Sequence, residues 1–295
     1  MTAASALANI LDGLVDMHCH SGPSPFPRRF DHVDAARDGA RVGMRAMVAK
    51  SHHHSTVMDV LAMKPRLESV SAQVYGGIAL NTWVGGINPD AVQLCLNLGG
   101  KVVWFPTNCS GRHIDCHPEL AGFPTPTVEL NTTVVPMTDE RGDLIPAVRQ
   151  VLDHIAASGA VLNAGHSHPE HITQLFTAAR DAGVDKMVVS HPDFVIGADV
   201  GLCRELISLG AVIEHEMIMY HPDGLGWDVR QLFTWIEQLG PENVVLSSDL
   251  GQATMPKPVD GFLGVAEHLL DLGLDPKSLR QMTVDTPGRL LGLDP

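Results

Sequence analysis

The sequence predicts a (β/α)8 barrel built as a single domain over residues 1–295, and three observations carry that reading. Eight strand-length apolar runs alternate with eight amphipathic helix-length stretches, and nearly every apolar run ends in polar residues on its C-terminal side. Glycines stand just past many of the helical stretches, at Gly43, Gly99, Gly159, Gly183, Gly210 and Gly240. Apolar strands separated by helices describe a parallel sheet covered by helices, and eight such units in under 300 residues suit a closed ring. A doubly wound open sheet is the alternative. No GxGxxG follows the first strand, however, and a ring with one mouth explains polar residues after nearly every strand better than an open sheet does.

The strand runs are 14–20, 45–52, 74–81, 101–107, 160–167, 186–192, 211–217 and 243–249. Helices are expected near 31–42, 56–69, 89–98, 144–158, 169–182, 199–209, 228–239 and 258–273, with a short helix ahead of Leu14 closing or flanking the ring. The stretch 107–141 breaks the alternation. It is rich in proline and turn residues and carries apolar runs of its own, which predicts a hairpin-bearing insertion after the fourth strand, lying over the mouth as a lid or substrate wall.

Composition narrows the function classes. A chain of 295 residues with 44% apolar and 18% charged residues can bury a large core, which argues against disorder. A net charge of −14 without a local basic patch excludes a nucleic-acid partner. No apolar run reaches membrane-spanning length. The first fifteen residues lack a basic start and carry Asp12, and the five cysteines form no CxxC pair, so a cytoplasmic chain with reduced thiols is expected. The acidic surface does not forbid a homo-oligomer, and the expected partner is a small-molecule substrate.

The chemistry concentrates in histidine, at 16 of 295 positions. In Asp16-Met17-His18-Cys19-His20 a strand period of two puts both imidazoles on one face, with Asp16 a layer deeper on that face and Met17 and Cys19 toward the helices. Neutral ring nitrogens so placed are half of a metal site. Three further strand ends supply the rest: Gly165-His166-Ser167, Ser190-His191-Pro192 and Ser247-Ser248-Asp249. A barrel brings all of them to one mouth.

This ordered set, with HxH on the first strand, single histidines on the fifth and sixth and an aspartate on the eighth, resembles the amidohydrolase superfamily of metal-dependent TIM-barrel hydrolases. The segment TPGRLLGL (286–293) is similar to that superfamily's last helix, and GPSPFPRRFD, GGIALN, KVVWFPT and SDLGQ resemble a bacterial branch of it. The resemblance implies that His18, His20 and Asp249 hold a buried divalent ion, with Zn2+ first and Mn2+ or Fe as alternatives. It implies that His166 and His191 bind a second ion or, with a single ion, serve as ligand and substrate-polarising group, and that Asp249 is also the general base. The pattern's bridging Lys or Glu of strand four has no counterpart, because that run ends Phe105-Pro106-Thr107 with Lys101 at its far end.

Lys50, at the end of the second strand with His52 on the same face, is therefore either an unusual carboxylated ligand or an ammonium that anchors a substrate carboxylate. The anchor reading is preferred, since carboxylation needs a second ion. Arg28 and Arg29 are further candidate anion binders. Asn81 and Gln252 are strand-end amides able to orient a carbonyl. Alternation turns His53 away and places His54 at a helix start. Glu214 and Glu216 share a face, suited to structural hydrogen bonding or to catalysis. Other histidines, including His113 and His117, lie on loops or helices where exposure is the default, though the insertion can bring one or two to substrate. The expected activity is hydrolysis of an amide or lactone in a small carboxylate-bearing substrate. A metal-dependent decarboxylase and a non-catalytic binding barrel are the alternatives.

Overall fold

A computed structural model describes residues 3–117 and 124–293. Each of the eight expected runs contains parallel strand: β1 Val15–Cys19, β2 Ala46–Ala49, β3 Gln73–Tyr75 with β4 Gly77–Ala79, β5 Val102–Trp104, β6 Val161–Asn163, β7 Met187–Ser190, β8 Ala211–Glu216 and β9 Val244–Ser247. Hydrogen bonding divides them into two sheets, β1-β2-β3 and β4-β5-β6-β7-β8-β9. The sheets meet at two seams. At one, β3 and β4 are a single run interrupted at Gly76. At the other, the chain just past β9 pairs with the end of β1 through Asp249 N–H to His18 O (2.7 Å) and His20 N–H to Leu250 O (2.8 Å). The strands thus form the expected barrel-like ring, joined at its seams by short backbone contacts rather than a continuous ladder.

All eight expected helices are present between or after the strands, among them Val57–Leu67, Pro146–Ser158, Pro169–Asp181 and Pro258–Asp271. Gly159 shows how they stop: its φ of 66° lets its N–H reach back to Ile155 and Ala156, a left-handed cap that a Cβ would strain. Two apolar layers result. Leu14, Met47, Ile78, Val103, Leu162, Met187, Ile213 and Leu246 pack outward with the helices. Val15, Met17, Ala46, Val48, Val102, Trp104, Val161, Val188, Val212 and Val245 fill the inside of the ring, closed below by Leu290 and Leu291 of the last helix.

Strand β1 departs from simple alternation. Its register shifts between Asp16 and Cys19, so Met17 joins Val15 in the interior cluster instead of facing the helices. Asp16, expected on the face of His18 and His20, instead binds residue 248: its carboxylate accepts from Ser248 Oγ (2.5 Å), Ser248 N–H (3.0 Å) and His18 N–H (3.1 Å). A bulge that re-aims side chains next to a site has this effect. Among the described residues the 107–141 stretch holds a helix, Gly111–Cys116, and the isolated antiparallel bridge Thr138–Leu144 at its end. Residues 118–123 lie outside the described residues. Among the described residues no helix is long and apolar enough to cross a membrane, and all five cysteines are free.

Asp16 clasps the β1–β9 seam with three buried hydrogen bonds. Replacing Asp16 with Ala strands those donors and is expected to cost about 3 kcal/mol, read as a lower midpoint in urea unfolding, with Asp16→Asn retaining part of the loss.

Candidate metal centre

The interior of the ring changes from apolar to polar one layer below its mouth. Glu214, on β8, accepts from Ser247 Oγ (2.6 Å) and Asn163 Nδ2 (3.4 Å) and also from the Ser190 hydroxyl, so the ends of β6, β7 and β9 converge on one carboxylate. Its outer oxygen faces His18 Nδ1 at 3.5 Å. Burial pushes this carboxyl up, but His18 and the two hydroxyls outweigh it and hold it at about 2. Glu216 is pushed well above the usual carboxyl range by burial and by Glu214. It accepts the His191 N–H at 3.1 Å.

Above this layer the other side of His18 meets Asp249. His18 Nε2 and His20 Nε2 lie 3.0 Å and 2.9 Å from the same oxygen, Asp249 Oδ1. His191 Nε2 is 3.9 Å from Asp249 Oδ2. The His18 ring lies 5.2 Å from His20 and 5.4 Å from His191, and the His191 ring lies 5.1 Å from His166. The five residues expected to bind metal thus share one neighbourhood. His191 (φ 53°) and Asp249 (φ 51°) are the only non-glycine residues with left-handed backbone among the described residues. Strain of this kind persists where surrounding contacts over-determine it, and it clusters at functional sites. Gly165 serves the same purpose for His166: a Cβ there would sit 2.2 Å from Phe105 O, so only glycine lets the β6 end approach β5 closely enough for His166 N–H to bond Pro106 O.

The donors fit a divalent cation. Burial holds His20 at about 3 and His191 at about 4, and drives His52 and His166 well below the usual imidazole range, so these rings are neutral at physiological pH, the form that binds metal; His18 differs, since Asp249 and Glu214 overcome burial and the Lys50 charge and raise it to about 9, so it would give up its proton to a bound ion. Burial also raises Asp249, but His18 and His20 overcome this and keep it well below its ordinary value, an anion. Two groupings place ligand atoms within reach of one another, His18 with His20 and Asp249, and His18 with His191 and Glu216. His166 Nε2 is buried without a hydrogen-bond partner, and His191 Nδ1 and Glu216 Oε2 lie 3.1 Å apart without forming a hydrogen bond. Buried polar atoms left in this state are costly unless something else satisfies them.

The remaining expected residues divide. His52 belongs to the site: it lines the cavity, its ring 4.8 Å from His20. Arg28 and Gln252 line it too. Gln252 gives one Nε2 hydrogen to Asp249 O and keeps the second, and its oxygen is buried without a partner. Lys50 is not at the cavity surface. It is 1% exposed, with Nζ 2.7 Å from His18 Nε2 and its charge facing Asp249, Glu214 and Glu216, and burial lowers it to about 8. That position corrects the expected role as an anchor for a substrate carboxylate. Arg29 is also corrected: it bonds Met255 O through Nε and Gly251 O through its N–H, pinning the loop. Asn81 spends both amide hydrogens on His52 O and Thr107 Oγ1 and its oxygen on the Thr107 and Cys109 N–H groups, leaving nothing for substrate. His53 turns away, between Phe26 and Trp83, as alternation implies; His54, expected at a helix start, lies ahead of the helix that begins at Val57 and bonds Asp59 within it. His113 and His117 reach the cavity wall from the helix after β5, a placement that no local periodicity signals.

A ring of parallel strands with imidazoles at the ends of β1, β6 and β7 and a carboxylate after β9 is a metal-site arrangement on a barrel-like fold, and that fold is shared with solved structures of hydrolases. An amidohydrolase from Pseudomonas aeruginosa superposes with a TM-score of 0.66 at 11% identity, covering 98% of each chain. A lactonase from Listeria monocytogenes gives 0.58 at 13% identity, covering 98% of this chain and 97% of that one. A putative 2-pyrone-4,6-dicarboxylic acid hydrolase from Pseudomonas putida gives 0.55 at 17%, covering 95% and 97%. No curated protein matches the sequence. Residues 13–214 match the family described as "Family of unknown function (DUF6282)", and the chain belongs to that family.

Glu214 gathers three strand ends and backs His18. Glu214→Ala is expected to destabilise the fold by about 3–5 kcal/mol, the cost of breaking a buried charged network. Glu214→Gln, which keeps the hydrogen-bonding shape, should cost clearly less in the same denaturant titration.

Proposed function

We propose that this protein is a metal-dependent hydrolase that cleaves an amide or lactone bond in a small carboxylate-bearing substrate. The observation that carries the reading is the convergence of His18 Nε2 and His20 Nε2 on Asp249 Oδ1 at the floor of an open cavity. His18, His20 and Asp249 would hold the ion, Zn2+ by preference for neutral imidazole and carboxylate donors, with His166 and His191 completing its surroundings. A divalent ion held there supplies Lewis acidity, which eases ionisation of water at neutral pH and polarises a carbonyl.

The chain's own groups do the rest. Asp249, ionised at all working pH values, ties one oxygen to His18 and His20 and keeps Oδ2 for proton transfer from water to the leaving group, the role of general base and then acid. His191 lies beside that oxygen, placed to orient the carbonyl being attacked. Arg28, lowered by burial only to about 10, stays a cation and takes the anion-anchoring role that Lys50 cannot reach. The lactonase, amidohydrolase and pyrone hydrolase among the similar structures support this reaction class.

Purified chain is expected to carry tightly held Zn2+ by elemental analysis and to hydrolyse members of a panel of small lactones and cyclic amides. Chelation should abolish turnover and added Zn2+ restore it, and Asp249→Asn should lower kcat by about 100-fold or more. Hydrolysis that survives complete removal of metal would sink the proposal.

A further inference from the structure

The cavity is polarised from side to side. Arg28 and Asp249 stand on the β1–β9 side, while the opposite wall is Phe194 and Val195 after β7 and Ile218, Met219 and Leu225 after β8. Arg28 is the only Lys or Arg among the described residues lining it, and its Nε is buried without a partner. The cavity measures about 220 Å³, room for about seven water molecules. We infer that the substrate is a monoanion with an apolar body about the size of one ring, its carboxylate on Arg28 and its hydrocarbon face against Phe194, Ile218 and Met219. This deepens the hydrolase reading and rests on it for the reaction, but the binding chemistry stands on the cavity alone.

The same features exclude the substrate chemistry of several similar barrels. A dianion such as a phosphate ester or dicarboxylate would bring a second charge that finds no second Lys or Arg among the described residues lining the cavity. A sugar would press its hydroxyls on a wall of hydrocarbon side chains that offers their polar atoms no partner.

The probes are benzoate, acetate, phthalate, glucuronate and benzyl alcohol, titrated by calorimetry and saturation-transfer NMR against the Zn2+-loaded full chain. Benzoate is expected to bind about tenfold or more tighter than acetate, phthalate or glucuronate, and Arg28→Met should remove about tenfold of the benzoate affinity while leaving benzyl alcohol within about twofold. Phe194→Ala, which leaves Arg28 in place, should narrow the benzoate-to-acetate ratio. Phthalate or glucuronate binding as tightly as benzoate, or benzoate binding indifferent to Arg28, overturns the inference. Because the measurement needs no turnover, a chain that binds benzoate in this manner yet hydrolyses nothing would refute the reaction and leave the ligand class standing.

A different observation concerns His113. Its Nδ1 lies 2.7 Å from His166 Nδ1, and the two rings face edge to edge, with centroids 4.8 Å apart and planes within 20° of each other. Ser110 fastens this pair: its hydroxyl donates to His166 O (2.6 Å) and accepts the His113 N–H (3.0 Å). The geometry points to His113 as a positioning residue that fixes the tautomer of His166. If His166 donates Nδ1–H to His113, its unpartnered Nε2 carries the lone pair an ion requires. His113→Phe keeps a ring at this position and removes the nitrogen. In a chelator competition for Zn2+ it should weaken affinity by about 10–100-fold with unchanged thermal midpoint, and His113→Gln should recover part of it. A His113→Phe chain that matches wild type within about twofold overturns the role, whereas wild-type chain that binds no Zn2+ overturns the ion reading itself.

Discussion

Everything at the mouth depends on holding His18 between two buried carboxylates. Glu214 lies behind its Nδ1 and Asp249 in front of its Nε2, at 3.5 Å and 3.0 Å. Ionised groups inside a ring of strands cannot borrow stabilisation from water, so each charge must be met by a neighbour or neutralised. The interior obeys that constraint by layers. Hydroxyls and an amide from β6, β7 and β9 satisfy Glu214, and Lys50 places its ammonium among Glu214, Glu216 and Asp249. Glu216, lacking such donors, is driven toward its neutral form. The arrangement leaves the imidazoles on the cavity side uncharged and therefore able to act as ligands.

That balance explains why Lys50 lies where it does. A lysine at the end of β2 points into the ring because Ala46 and Val48 do, and within the ring its counter-charges are Asp249 at the cavity floor and Glu214 and Glu216 below it. Its stem packs near the Trp104 ring, with Nζ 5.5 Å from the centroid. The ammonium thus lies among the carboxylates, and the basic side chain that reaches the cavity lining among the described residues is Arg28, on the loop after β1.

The fold was legible because its determinants are local. Alternation of apolar runs with amphipathic stretches and glycine stops located every strand and helix of the repeat, and strand-end histidines could be assigned to one mouth as soon as the ring was assumed. What was not legible depended on register and on long-range partners. The shift between Asp16 and Cys19 turned Asp16 toward Ser248 and Met17 inward, against strict alternation. Asn81 and Arg29 carry side chains suited to substrate, and only the backbone groups brought to them from elsewhere in the sequence reveal that they are already occupied. His113 has no periodic signal at all, since a six-residue helix after β5 brings it over His166.

His191 and Asp249 adopt left-handed backbone that a histidine and an aspartate enter only at a cost. In each case the backbone N–H is held by the network beneath: His191 by Glu216 Oε1 at 3.1 Å, Asp249 by His18 O at 2.7 Å. The strain turns each side chain sharply out of its strand direction, over the floor instead of along the ring wall. Glu216 and the β1–β9 seam therefore do more than hold strands together. They maintain two conformations that the local sequence disfavours, and the convergence of imidazole and carboxylate over the cavity floor follows from those conformations.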